Sequence, residues 1–173
     1  MTIALVIAVL IAALLVYAAT RPDRFRIQRE ARIDAPPDTV YRLLSDFQTW
    51  KTWSPWEGLD PNLKRSYSGA PAGVGAVYEW EGNRKVGAGR MEITGAVPAS
   101  SVTIKLDFLR PFEAHNTTLF TLEPTGGATR LVWAMDGRNA FMNKLMGVFM
   151  NFDKMIGKDF EKGLANLQAA AER

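Results

Sequence analysis

Histidine and cysteine, which most often carry acid–base, nucleophilic or metal chemistry, are scarce in this chain. It contains one histidine, His115, and no cysteine. Catalysis by a serine–histidine–aspartate set needs an imidazole that faces a cavity, but alternation along the surrounding strand directs His115 outward, opposite Phe120 and Leu122. The carboxylates match no oxygen-ligand loop. We therefore predict no catalytic residue, no metal site and no cofactor.

Two polar residues of the same strand point the other way. Asn116 and Thr118 share a face with Phe120, because side chains alternate along a strand. An amide and a hydroxyl on an apolar face can orient a ligand by hydrogen bonding. We predict that both contact a ligand.

Methionines concentrate in the last quarter of the chain, at Met135, Met142, Met146, Met150 and Met155. Methionine adapts its shape, so a wall of methionines suits variable apolar ligands. Ordinary core packing explains the same pattern, and the sequence leaves both open. The four-residue spacing of Met142, Met146 and Met150 predicts one flank of a helix.

Trp50, Trp53 and Trp56 form an aromatic loop that Tyr78 and Trp80 of the next predicted strands can extend. Such rings can gate a cavity or touch a bilayer interface. Alternatively, they form a small core that closes one end of a sheet.

The elements that position these residues follow from hydrophobic periodicity. Residues 25–33 predict a first strand, and residues 40–53 predict two short helices. Glycine and proline turns separate six further strands, predicted at 63–68, 76–80, 86–97, 102–109, 113–122 and 129–135. Residues 141–171 lack proline and repeat apolar residues every three or four positions, which predicts one long amphipathic helix. A curved sheet that grips this helix leaves a cavity between them.

The first 20 residues contain no charged side chain. The apolar run at 3–19 spans about 26 Å as a helix, the lower limit for crossing a bilayer core. Arginines follow this run and none precedes it, which favours a single-pass anchor in the inner membrane with a cytoplasmic domain. A periplasmic domain, a cleaved signal peptide and a buried helix are the alternatives. We predict an anchor at 1–20, a linker at 21–24 and a domain at 25–173.

The remaining charges argue against a nucleic-acid partner. The net charge is only +3, and basic residues alternate with acidic ones instead of forming a stripe. The predicted partners are a small hydrophobic molecule or lipid, and the membrane through residues 3–19.

Several segments resemble the SRPBCC superfamily, which groups START-like domains, polyketide cyclases and birch-pollen-allergen-like proteins. They are residues 33–41, 44–56, 126–133 and 157–167. The chain is similar to a membrane-anchored bacterial branch of this superfamily over residues 25–172. The resemblance implies an α+β helix-grip fold, in which a curved antiparallel β-sheet wraps around a long C-terminal α-helix, preceded here by one transmembrane helix.

Members of the superfamily share a cavity but no catalytic set, so the fold does not establish an activity. The expected function is membrane-anchored binding of a small hydrophobic ligand or lipid between sheet and helix. The predicted ligand-binding residues are Trp53, Trp56, Tyr78, Trp80, Met91, Asn116, Thr118, Phe120, Trp133, Met135, Met142, Met146, Phe149 and Met150.

Two alternatives come from other functional classes. A cyclase or dehydratase acting on an apolar carbonyl substrate would need an inward acid or base, such as an inward-facing His115 or Glu79. An accessory, single-span component of a membrane complex is the other, because residues 14–25 resemble the smallest, single-span component of potassium-transporting ATPases.

Overall fold

The computed structural model describes residues 2–173, which form a sheet wrapped around a C-terminal helix. The strands are β1 (Arg24–Ile33), β2 (Lys64–Gly69), β3 (Ala76–Glu81), β4 (Ala88–Val97), β5 (Ser101–Arg110), β6 (Ala114–Thr125) and β7 (Ala128–Arg138). The helices are α1 (Thr2–Thr20), α2 (Pro37–Ser45), a short 3₁₀-helix (Phe47–Thr52), α3 (Phe141–Met146) and α4 (Phe152–Ala171).

The seven strands of the described residues form one antiparallel sheet in the order β1-β7-β6-β5-β4-β3-β2. Alternate residues of each central strand are buried, as they are along β6 at Asn116, Thr118 and Phe120. α4 buries Phe160, Leu164 and Leu167 in the same core. This architecture confirms the α+β helix-grip class.

The prediction of one helix over 141–171 is wrong. α3 ends at Met146, and α4 begins after Asn151, whose side chain accepts a hydrogen bond from the Lys154 backbone N–H at 2.9 Å. Asparagine is a strong helix N-cap because its side-chain oxygen satisfies an amide at the start of a helix. Gly147 caps the C-terminus of α3. The periodic pattern continued across this break, so periodicity alone could not find it.

α1 packs against α3 instead of standing apart from the domain. Ala18 is buried, and Arg21 Nη2 donates to the Gly147 carbonyl at 3.3 Å. Lys144, also buried, forms an ion pair with Asp23. The predicted linker is therefore bound to α3.

Antiparallel topology brings several connections to one end of the sheet. The strand register places the β3–β4 loop, the β5–β6 turn and the β7–α3 junction there, together with the α1–β1 junction. We call this the anchor end. The β4–β5 and β6–β7 turns lie at the far end.

Candidate functional site: a cavity between sheet and helix

A cavity of about 880 Å³ lies between the concave face of the sheet and the α3–α4 region. Its lining extends to the anchor end, where it includes Arg21 of the α1–β1 junction and Phe112 of the β5–β6 turn. The volume lies within the range of about 300–1,000 Å³ that small-molecule sites span.

One row of residues crosses the sheet under the cavity. Tyr78, Met91, Leu106, Asn116 and Gly137 are register partners on five successive strands. The first four line the cavity. Two-residue alternation on every strand directs this whole row to one face, so the row forms a continuous floor.

Asn116 and Thr118 are the polar part of this floor. Both are buried, and neither side chain forms a hydrogen bond with another described residue. Gly137 makes room for the amide, because a Cβ at that position would lie 2.1 Å from Asn116 Oδ1. The cavity therefore contains an amide and a hydroxyl that a ligand can pair with.

An aromatic wall closes the cavity on the α4 side. Trp133 stacks on Phe160 with ring centroids 4.1 Å apart and planes 9° apart. Trp56 meets Trp133 edge-on at 5.9 Å. The Trp133 indole N–H has no hydrogen-bond partner among the described residues. These rings offer a large, rigid apolar surface to a ligand.

A largely buried acid at the cavity wall was missed by reasoning from the sequence. Glu57 lines the cavity and forms an ion pair with Arg65, whose Nε donates to Glu57 Oε2 at 3.0 Å. Tyr78 Oη donates to Glu57 Oε1 at 3.1 Å. Burial and the adjacent Glu57 charge raise the pKa of Tyr78 above its usual range, so the phenol stays protonated. No motif marks Glu57, because its partners lie on strands that follow its own loop.

The rim at the anchor end is apolar and exposed. Phe112 is 79% exposed and Phe149 is 75% exposed, and both line the cavity. Phe149 and Met150 lie in the segment between α3 and α4, where periodicity predicted a continuous helix. A phenylalanine beside a proline in a tight turn was the only local signal for Phe112.

The structure brings ten of the fourteen predicted ligand-binding residues to the cavity. These are Trp56, Tyr78, Trp80, Met91, Asn116, Thr118, Trp133, Met135, Phe149 and Met150. Their contact with a ligand stays a prediction.

The other four do not line the cavity. Trp53 and Phe120, 1% and 0% exposed, are packed in the core, where the Trp53 indole N–H donates to the Leu43 carbonyl at 3.1 Å. Met142 and Met146 lie on exposed faces of α3. They do not share a helix flank with Met150, because α3 ends before it.

The two residues that could have supported acid–base catalysis point away from the cavity. His115 is on the outer face, where its Nδ1 lies 2.7 Å from Asp107 Oδ1. Glu79 is exposed beside Arg90. Within residues 2–173, no three carboxylate or histidine side chains cluster as metal ligands would.

Comparisons with solved structures show the same fold at low sequence identity. The Zhui aromatase/cyclase from a Streptomyces species is 14% identical, with a TM-score of 0.62 over 87% of this chain and 94% of that chain. A protein from Chromobacterium violaceum is 18% identical, with a TM-score of 0.61 over 88% and 99%. The Aha1 dimer from Colwellia psychrerythraea is 18% identical, with a TM-score of 0.61 over 86% and 96%.

No curated protein matches the chain. The sequence profile of the family described as polyketide cyclase/dehydrase and lipid transport matches residues 24–172, which is nearly the whole of the described chain after α1. The chain therefore belongs to the polyketide cyclase/dehydrase and lipid transport family.

Proposed function

We propose that this protein binds a small amphipathic molecule or lipid in the cavity while α1 anchors it in the inner membrane. The observation that carries the proposal is the cavity itself, about 880 Å³ and walled by aromatic and methionine side chains. A water-sized group takes about 30 Å³. The cavity therefore accommodates roughly 30 non-hydrogen atoms, the size of a sterol or a single-chain lipid.

The ligand needs an apolar body and at least one hydrogen-bonding group. The aromatic wall favours the apolar body, since burial contributes about 25 cal/mol per Å². Asn116 and Thr118 favour a polar group, because an amide or hydroxyl left unpaired against an apolar ligand costs free energy. The two polar residues thus select amphipathic molecules over pure hydrocarbons.

Native mass spectrometry of the full chain, purified in detergent from bacteria, tests this proposal. We expect a stoichiometric adduct that survives detergent exchange and can be extracted and identified. The Leu106→Trp variant places an indole in the middle of the floor and should lose most of the adduct. Leu109→Trp makes the same substitution at an exposed position outside the cavity and should keep it.

Absence of any adduct, with no uptake from a lipid mixture, would contradict the binding function. An adduct of equal occupancy in both tryptophan variants would mean that detergent-resistant lipid is bound elsewhere, most simply along α1. Co-purification of a larger membrane protein would instead favour the accessory role in a membrane complex.

A second candidate, lyase chemistry of the cyclase or dehydratase type, is favoured by the Glu57–Tyr78 pair. A protonated phenol that touches a carboxylate at a cavity wall supplies a proton donor and acceptor within one hydrogen bond. If the extracted molecule is returned to the apo protein and recovered lighter by one water, this function gains support. Loss of that conversion in Tyr78→Phe, with binding retained, would separate catalysis from binding.

A further inference from the structure

The anchor end of the domain combines three features that point to one surface. α1 is the helix of the described residues that is long and apolar enough to cross a bilayer, and it ends at this surface. The exposed rim residues Phe112 and Phe149 lie there. The cavity reaches the same surface, because Arg21 at the end of α1 is part of its lining.

The rim resembles a membrane-contact surface more than an ordinary loop surface. Aromatic side chains on exposed loops are costly to hydrate, and they partition into the boundary between headgroups and hydrocarbon. α3 adds exposed Phe141 and Met142 and packs directly on α1. A bilayer that surrounds α1 therefore lies next to this apolar rim.

Charge at the anchor end favours an anionic bilayer. Arg110 pairs with Glu81, and Lys144 pairs with Asp23. In the described part of the chain, Arg84, Lys85 and Arg138 at the same end form no ion pair. Exposed basic residues near a membrane surface each contribute about 1 kcal/mol of attraction to anionic lipid.

We infer that the mouth of the cavity docks on the bilayer that α1 spans, with Phe112 and Phe149 inserted at the interface. The unpaired basic residues lie against anionic headgroups. A lipid-like ligand then passes between bilayer and cavity without crossing water, along the gap bordered by the β5–β6 turn and the α3–α4 segment. This inference rests on the proposed function only in that α1 is a membrane span.

The bonds between α1 and the rim make the orientation specific. The Arg21 guanidinium donates to the carbonyl of Gly147, and Asn139 donates from its backbone N–H to Asp23 at 2.8 Å. These bonds connect the end of the anchor to both sides of the α3 region. The anchor therefore holds the domain in one orientation instead of serving as a flexible tether.

Site-specific labelling of the full chain tests the inference, because the chain has no native cysteine. Single cysteines replace Phe112 or Phe149 and carry an environment-sensitive fluorophore. The matched control is Val97→Cys, at an apolar residue 55% exposed in the far-end turn. Leu10→Cys in the middle of α1 reports on the anchor itself. Vesicles contain equal parts phosphatidylcholine and phosphatidylglycerol.

We expect spin-labelled lipids to quench labels at 10, 112 and 149, and aqueous iodide to quench the label at 97 several-fold more strongly than the rim labels. A quenched label at 10 with water-exposed labels at 112 and 149 overturns the docked mouth and leaves the anchor intact. A water-exposed label at 10 removes the anchor and overturns the inference with it. Ligand binding is read separately by the adduct, so the two proposals fail independently.

Discussion

Replacing Asn116 with leucine should stabilise the unliganded protein and weaken ligand binding at the same time. Asn116 is 8% exposed, and its amide forms no hydrogen bond within the described residues. Burying an unpaired amide costs about 1–3 kcal/mol in protein variants. Because the cavity opens at the anchor end, we take the lower limit, about 1 kcal/mol. Leucine has a similar shape and retains the space above Gly137.

A gain of about 1 kcal/mol in unfolding free energy corresponds to a rise of about 2–4 °C in melting temperature for a chain of this size. Tryptophan fluorescence measures the transition, since all five tryptophans lie in the domain. Asn166→Leu is the matched control. Asn166 Nδ2 donates to the Trp53 carbonyl at 3.1 Å, so its loss should lower stability by about 1 kcal/mol.

The binding part of the prediction has the opposite sign. A hydrogen bond from the Asn116 amide to a ligand contributes about 0.5–1.5 kcal/mol, so Asn116→Leu should weaken binding of the recovered molecule by about 2- to 10-fold. Isothermal titration with that molecule measures the change. If Asn116→Leu lowers the melting temperature as Asn166→Leu does, Asn116 is a structural residue and the reasoning is refuted.

Three further predictions concern the core and the outer face. Phe160→Ala removes the ring stacked on Trp133 and should cost about 3–5 kcal/mol in urea unfolding; a loss below about 1 kcal/mol would contradict the packing described. Gly163→Ala should lower the melting temperature despite the better helix propensity of alanine, because the new Cβ would lie 2.7 Å from the Trp133 ring; a rise would show that the ring shifts freely. The hydrogen bond to Asp107 raises the pKa of His115, so its stabilising contribution is complete below about pH 6.5 and is lost as pH rises through the folded-state pKa. NMR titration of this single histidine should show a lower pKa in Asp107→Asn, and an unchanged pKa would exclude Asp107 as the cause.

Strand parity was accessible from the amino-acid sequence. Alternation placed Asn116 and Thr118 opposite His115, and the structure has them on opposite faces of β6. Parity needs no tertiary information, because successive side chains of any strand point to opposite faces. The apolar run of α1 was accessible for a similar reason, since composition and length alone decide whether a helix can span a bilayer.

Tertiary structure alone decided which aromatic residues meet the cavity. Trp53 and Trp56 lie three residues apart in one loop, yet Trp53 is packed in the core and Trp56 lines the cavity. The difference depends on where α4 crosses the sheet, and that crossing follows from the packing of side chains distant in sequence. Local spacing contains no information about this packing.

The break before α4 and the position of Glu57 were likewise inaccessible. The helical period runs through Gly147 without interruption, but the chain leaves the helix there and Asn151 caps the start of the next one. Glu57 gains its ion pair with Arg65 and its hydrogen bond from Tyr78 only when its loop folds over β2 and β3. The sequence by itself thus determined the strands, their faces and the apolar anchor. The cavity, its polar floor and its apolar mouth arise from contacts between elements, because only three-dimensional packing brings residues so far apart in sequence together.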